Sequence, residues 1–296
     1  MHILITGGTG FIGRGLVPVL QREQHTITIL TRQSLIGEKG LSYVRALEEI
    51  PADTAVDAVI NLAGASLADK RWTGRYKREI VNSRLQTTQA LISWLTAREQ
   101  RPAVLLSGSA IGYYGHHQDE MLDEDAVCNP GFAQGLCREW EAEALKAAAL
   151  GIRVCTLRLG VVLDSGGGAF EQMARPFRMG VGNWIGDGSQ WLSWIHRTDV
   201  VRAIQFLLAQ ESLSGPFNIT APEPVTSRGF CDAMKHQRKT LIDLPMPAVL
   251  MRLALGEMAE ELLISGQRVV PSKLQQAGFE FSFPVLEEAL AEILAG

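Results

Sequence analysis

Apolar runs of strand length recur along this chain, separated by longer stretches in which apolar residues return every three or four positions. Such alternation predicts parallel strands joined by helices that cover both faces of one sheet. Strands are expected at residues 2–6, 26–31 and 58–62, with a weaker one at 42–44, and a helix at 12–22 joins the first pair. A long helical pattern follows at 76–97, then a strand at 104–107, a helix at 132–149 and a strand at 153–157. After Leu163 the pattern breaks at Ser-Gly-Gly-Gly, residues 165–168, and again across 180–188, where glycines mark loops. A further helix at 198–209 and strand at 216–219 are expected to return to the sheet. The fold class is therefore α/β, a doubly wound parallel sheet over residues 1–163 with returning segments near 195–220. A smaller C-terminal lobe and helical extension occupy 164–296.

Between the first strand and the first helix the chain reads Thr6-Gly7-Gly8-Thr9-Gly10-Phe11-Ile12-Gly13. A glycine-rich turn in that position lets the backbone approach a pyrophosphate, and the helix amides and dipole favour its negative charge. The context makes this a Rossmann-type dinucleotide site, with Gly7, Gly10, Phe11, Ile12 and Gly13 against the cofactor. NAD-binding sheets carry a carboxylate for the ribose hydroxyls about 20 positions on, whereas NADP needs a cation there. Here the second strand ends in Thr31-Arg32. The guanidinium of Arg32 suits a 2′-phosphate and Thr31 adds a hydroxyl, so the expected cofactor is NADP(H). Asn61-Leu62-Ala63-Gly64 closes another strand on the same edge, which places Leu62, Ala63 and Gly64 beside the cofactor. Asn61 has two readings, a cofactor contact or a cap on its strand.

TGGTGFIG, NLAG, Ser107-Gly108-Ser109 with Tyr113-Tyr114-Gly115, and Trp194-Ile195-His196-Arg197-Thr198-Asp199-Val200 resemble an extended short-chain dehydrogenase/reductase. The sequence is most similar to the YfcH-like branch of NAD(P)-dependent epimerase/dehydratase proteins. Its marks are Ser83-Arg84-Leu85-Gln86-Thr87-Thr88, Arg158-Leu159-Gly160-Val161-Val162-Leu163, Gly266-Gln267-Arg268-Val269-Val270-Pro271 and Gly278-Phe279. The resemblance implies an oxidoreductase or sugar-nucleotide-epimerase-like activity and places Glu79 and Arg84 at the cofactor. Members of the superfamily use a serine with a Tyr-x-x-x-Lys pair, in which lysine lowers the tyrosine pKa so that it moves a proton during hydride transfer. In this chain the corresponding helix has Ala133 and Cys137 at those two places. Ser109, Tyr113 and Tyr114 are the remaining catalytic candidates. A tyrosine near pKa 10 is ionised at roughly one part in a thousand at pH 7, so without a cation it serves as an acid rather than a base. Loss of the pair also leaves open a non-catalytic NADP(H)-binding sensor.

Composition narrows the partners. The chain has 296 residues, 46% apolar and 20% charged, with a formal net charge of -4. No Lys/Arg run appears, which argues against nucleic acid and anionic membranes. The expected partners are a small-molecule substrate with an anionic end and a second copy of the chain in a homodimer. Phe170, Met173, Phe177, Trp184 and Trp191, with Arg175 and Arg178, form the aromatic and cationic set suited to such a substrate. Four dispersed cysteines without a CxxC pair and no signal-peptide pattern lead to a cytoplasmic location as the expectation. His116-His117 with Asp119 and Glu120 lacks metal-ligand spacing and is expected to be a solvated loop, so no metal is expected. Asp199 is expected to serve a helix N-terminus.

Overall fold

The computed structural model describes residues 1–68 and 70–295. Its central sheet has seven parallel strands: β1 (His2–Thr6), β2 (Thr26–Leu30), β3 (Leu41–Val44), β4 (Ala58–Asn61), β5 (Val104–Ala110), β6 (Arg153–Leu159) and β7 (Gly215–Ile219). Their spatial order is β3-β2-β1-β4-β5-β6-β7. The order reverses between β1 and β4, and ligands of open α/β sheets bind beyond the carboxyl ends of the strands at that point.

The helices are α1 (Phe11–Arg22), α2 (Gly74–Thr96), α3 (Phe132–Leu145), α4 (Phe170–Arg178), α5 (Arg197–Ala209), α6 (Ser227–Gln237), α7 (Ala248–Leu255) and α8 (Leu286–Ala295), with shorter turns between some of them. Successive strand residues point to opposite faces, so a strand covered on both sides must be apolar throughout. Ile3 and Ile5 of β1 accordingly join Leu16 and Leu20 of α1 and Ile204 of α5 in one core. Leu4 points the other way, into a core with Leu91 and Leu95 of α2 and Ala144 of α3. A separate core holds the lobe, where Phe170 and Phe177 of α4 meet Phe230 of α6, Leu290 of α8 and Trp194.

Several boundaries differ from the sequence expectation, three of them for a visible physical reason. β5 continues past residue 107 to Ala110 because its ladder with β6 runs on, pairing Ser109 with Arg158 and Ala110 with Leu159. α3 ends at Leu145, and the remaining turn tightens to a 3-10 helix, Lys146–Leu150, closed by Gly151 in the left-handed conformation at φ 81°. α2 begins at Gly74 because the Thr73 hydroxyl accepts the Tyr76 amide and caps the helix. Among the described residues no helix is long and apolar enough to cross a membrane.

Candidate dinucleotide and substrate site

The glycine loop is shaped by backbone crowding. Gly7 has φ +72°, and a Cβ on it would lie 2.5 Å from the Leu62 carbonyl oxygen; one on Gly13 would lie 2.4 Å from that of Gly8. Neither gap accepts a methyl group, so glycine at both positions lets the turn fold flat between β1, β4 and α1. Gly10 stands at the N-cap of α1 and supplies no capping side chain. Among the described residues the amides of Phe11 and Ile12 have no partner. Unsatisfied amides at the N-terminus of a three-turn helix, approached through glycines, fit a pyrophosphate.

At the tip of β2, Thr31 is buried, its amide donates to the Val44 carbonyl at 2.9 Å and its hydroxyl accepts the Gln33 amide at 3.3 Å. The hydroxyl proton stays free to donate. Arg32 is exposed beside it and forms no ion pair among the described residues.

Leu62, Ala63 and Gly64 open the loop after β4, and α2 fastens that loop from below. Arg84 Nη1 donates to the carbonyls of Ala65 and Ile80, each at 3.1 Å. The Ser83 hydroxyl accepts the Ala65 amide at 2.9 Å, and the Tyr76 hydroxyl donates to the Ser66 carbonyl at 2.6 Å. Arg84 lies so close under Gly64 that a Cβ there would be 3.0 Å from its Cζ. Its other face covers the Trp140 ring at 5.3 Å, and burial lowers its pKa below the ordinary arginine value. Glu79 is exposed on α2 and forms no hydrogen bond or ion pair among the described residues. Of Asn61's two readings the structure selects the structural one. Its Oδ1 accepts from Thr6 Oγ1 at 2.6 Å, and its Nδ2 donates to Thr88 Oγ1 at 2.9 Å and Ser107 Oγ at 3.2 Å, all within the core.

The catalytic candidates fare differently. Ser109 is buried and its hydroxyl donates to Glu141 Oε1 at 2.6 Å, because the extended β5 holds it inside the sheet rather than at the strand tip. Glu141 receives Arg158 through Nε at 2.9 Å and Nη2 at 3.0 Å. Burial alone would lower the Arg158 pKa, but the hydrogen bonds and charge of Glu141 outweigh it and hold the guanidinium above its ordinary value. Arg158 Nη1 donates to the Tyr114 hydroxyl at 3.0 Å, and that hydroxyl donates to Asn218 Oδ1 at 2.7 Å. Burial pushes the Tyr114 pKa up to about 12 in spite of Arg158. The assignment of Ser109 and Tyr114 as donors to a substrate is therefore corrected, since both hydroxyl protons are committed inside a closed network. Tyr113 differs: it is half-buried, its ring lies 3.5 Å from Arg158 Cζ, and its hydroxyl has no hydrogen-bond partner among the described residues. Tyr114→Phe is expected to cost about 1–3 kcal/mol by stranding buried Asn218 and Arg158 groups, while leaving nucleotide affinity unchanged. Urea unfolding and a nucleotide titration on the same variant check both halves.

Comparisons with known proteins show the family and the fold. The family model for the NAD dependent epimerase/dehydratase family matches residues 3–220, and that for a domain of unknown function, DUF1731, matches 246–293. The chain belongs to the epimerase/dehydratase family. An epimerase family protein of Mycobacterium bovis is 38% identical to it over 290 residues, 97% of this chain and 96% of that one. One of Staphylococcus aureus is 39% identical over 297 residues, 99% and 98% of the two chains. The human epimerase family protein SDR39U1 (isoform 2), solved with NADPH, superposes at a TM-score of 0.87 with 32% identity, covering 100% of both chains. UDP-glucose 4-epimerase of Thermotoga maritima, at 20% identity and a TM-score of 0.78 over 100% of this chain and 98% of its own, shows a likeness of fold.

In this family member the places expected for the tyrosine and lysine, Ala133 and Cys137, pack against Gly112. A Cβ on Gly112 would meet the Ala133 Cβ at 3.0 Å and Cys137 Sγ at 3.9 Å. Burial pushes the Cys137 thiol up to about 11, so it is not an available thiolate. A residue the sequence reading missed is Glu261, whose carboxylate accepts the Phe132 amide at 3.1 Å and the Ala133 amide at 3.2 Å. It thereby caps α3, whose N-cap, Gly131, offers no side chain.

The lobe also departs from expectation. Phe170 and Phe177 are core residues, and exposed Arg178 is paired with Glu171 at 2.9 Å, so these three do not form a ligand surface. Trp184 and Trp191 are half-buried, each beneath an arginine: Arg228 at 4.6 Å and Arg268 at 4.4 Å. Asp199 sits in the first turn of α5, fully buried, and accepts the Ser282 and Phe283 amides at 2.8 and 2.9 Å, tying the C-terminal segment to the sheet. His117 is not solvated: it is buried, with Nδ1 2.9 Å from Glu120 and Nε2 3.2 Å from the Tyr114 carbonyl. Among the described residues no group of three His, Cys, Asp or Glu could hold a metal.

Proposed function

We propose that this chain is an NADP(H)-dependent oxidoreductase of the epimerase family that acts on a small molecule without the usual tyrosine–lysine pair. The observation that carries the cofactor choice is Arg32, exposed and unpaired at the tip of β2, where no carboxylate stands. NADPH in the human relative supports the same choice. When bound, the nicotinamide would supply or accept a hydride. The chain's own part is to seat the pyrophosphate on the Phe11 and Ile12 amides and the 2′-phosphate on Arg32 and Thr31. Gly64 keeps the loop after β4 low enough for close approach. Tyr113 is the hydroxyl left to protonate a substrate oxygen, and the Arg158 cation lies against its ring and holds it in place.

A second reading, an NADP(H)-binding sensor without turnover, draws on the closed Ser109–Glu141–Arg158–Tyr114 network. Tyr113→Phe separates the two. The oxidoreductase loses NADPH consumption with a panel of carbonyl compounds in that variant, and the sensor shows none in wild type. For the cofactor itself, Arg32→Ala is expected to weaken NADPH by about 10- to 150-fold, the value of a charge-assisted contact of about 1.5–3 kcal/mol, and to leave NADH unaffected. Equal weakening of both nucleotides in a fluorescence titration would refute the 2′-phosphate assignment.

A further inference from the structure

The glycines at residues 166–168 stand where the sheet domain gives way to the lobe, and flexibility of a connection would account for them in the sequence. The structure shows something more constrained. A Cβ on Gly167 or Gly168 would lie 2.7 Å from the Phe11 ring. Phe11 is the first residue of α1, next to the amides that face the pyrophosphate position. The Arg197 guanidinium lies over the same ring, 5.0 Å from its centroid, and Arg197 Nη1 reaches the Phe11 carbonyl at 3.4 Å. Arg197 Nε is in turn paired with Asp164 at 2.5 Å, and Asp164 Oδ1 accepts the Ser165 amide at 2.5 Å. The ring is thus gripped by a closed circuit that runs from the glycine loop to the lobe loop and back. Gly166 donates its amide to Glu171 at 3.3 Å, whereas the amides of Gly167 and Gly168 have no partner among the described residues.

Two glycine-rich loops therefore meet across one phenylalanine, each carrying unsatisfied amides, and the contact leaves no room for a side chain on either lobe glycine. We propose that residues 165–168 are the second wall of the dinucleotide site, closing on Phe11 and lending the Gly167 and Gly168 amides to the pyrophosphate, with Asp164–Arg197 as the clasp. The inference rests on the NADP(H) reading above. It makes Phe11, Asp164 and Arg197 positioning residues and gives the lobe a direct grip on the cofactor.

The test compares two ligands that share the adenosine end. NADPH carries the pyrophosphate, whereas adenosine 2′-monophosphate reaches only the Thr31–Arg32 end. Gly168→Ala, at a residue with φ +68°, is expected to weaken NADPH at least tenfold and to change adenosine 2′-monophosphate by less than twofold. Asp164→Asn, which preserves shape and removes the clasp's charge, is expected to weaken NADPH by several-fold with the same selectivity, and it serves if the glycine variant does not fold. Unchanged NADPH affinity in the folded variants would overturn the second wall, and so would equal weakening of both ligands, which is what a general loosening of the sheet produces. If wild type binds neither ligand, the NADP(H) reading falls and the wall with it; if wild type binds both and the variants match it, only the wall falls.

Discussion

Glu141→Ala is expected to remove about 3–5 kcal/mol of folding stability, the cost of leaving a buried charge without its partner. It should appear as a lowered urea midpoint with an unchanged slope. The side chains of Arg158 and Glu141 are 4% and 7% exposed, so water cannot replace the lost carboxylate. Ser109 loses its acceptor in the same stroke, and the guanidinium that orients Tyr113 and Tyr114 is left to find new partners. Against a total stability of about 5–15 kcal/mol, such a loss approaches the limit of what a domain tolerates. The paired change Glu141→Met with Arg158→Met should cost less than Glu141→Ala alone, because apolar side chains of similar length remove both charges together. A single-variant cost below about 1 kcal/mol, the range of exposed pairs, would show that the network is hydrated and that Ser109 is open to a substrate after all.

The split between what the sequence displays and what it hides follows from range. The sheet was legible because β1 and β4, which flank the switch point, are buried and largely apolar on both faces, and the glycine turn adjoins its own strand and helix; Gly7, Gly10 and Gly13 act within eight residues of one another. The Ser109–Glu141–Arg158 network was not, because its members come from β5, α3 and β6 and meet only when those elements stack. A partial signal existed: Arg158 stands between Leu157 and Leu159, and a charge held there between apolar neighbours requires a buried partner. Phe170 and Phe177 misled for the converse reason. Their spacing of seven marks one helix face, and a helix face in a sequence does not announce whether a core or a ligand lies opposite. Glu261 gave no local signal at all, since the helix it caps starts more than a hundred residues earlier.

Gly13→Ala is expected to weaken NADPH by about a hundredfold or more. The added carbon would stand 2.4 Å from the Gly8 carbonyl oxygen and 2.5 Å from that of Gly7, so the loop must lift away from α1. Lifting it withdraws the Phe11 and Ile12 amides from the pyrophosphate, and two charge-assisted hydrogen bonds at about 1.5–3 kcal/mol each exceed the 2.8 kcal/mol or so that a hundredfold requires. Helix propensity acts in the opposite direction, favouring alanine over glycine by about 1 kcal/mol, so folding stability should fall much less than affinity. Gly15→Ala supplies the control. It lies on the same helix, but its methyl would meet side chains rather than backbone, Arg197 at 3.4 Å and Val201 at 3.6 Å. That variant should gain the same propensity and, because the backbone of the turn need not move, lose no more than a fewfold in NADPH affinity. Were Gly13→Ala to bind normally as well, the pyrophosphate would have to sit elsewhere than on the start of α1, and the crowding at Gly13 would reflect only the packing of the turn against its own helix.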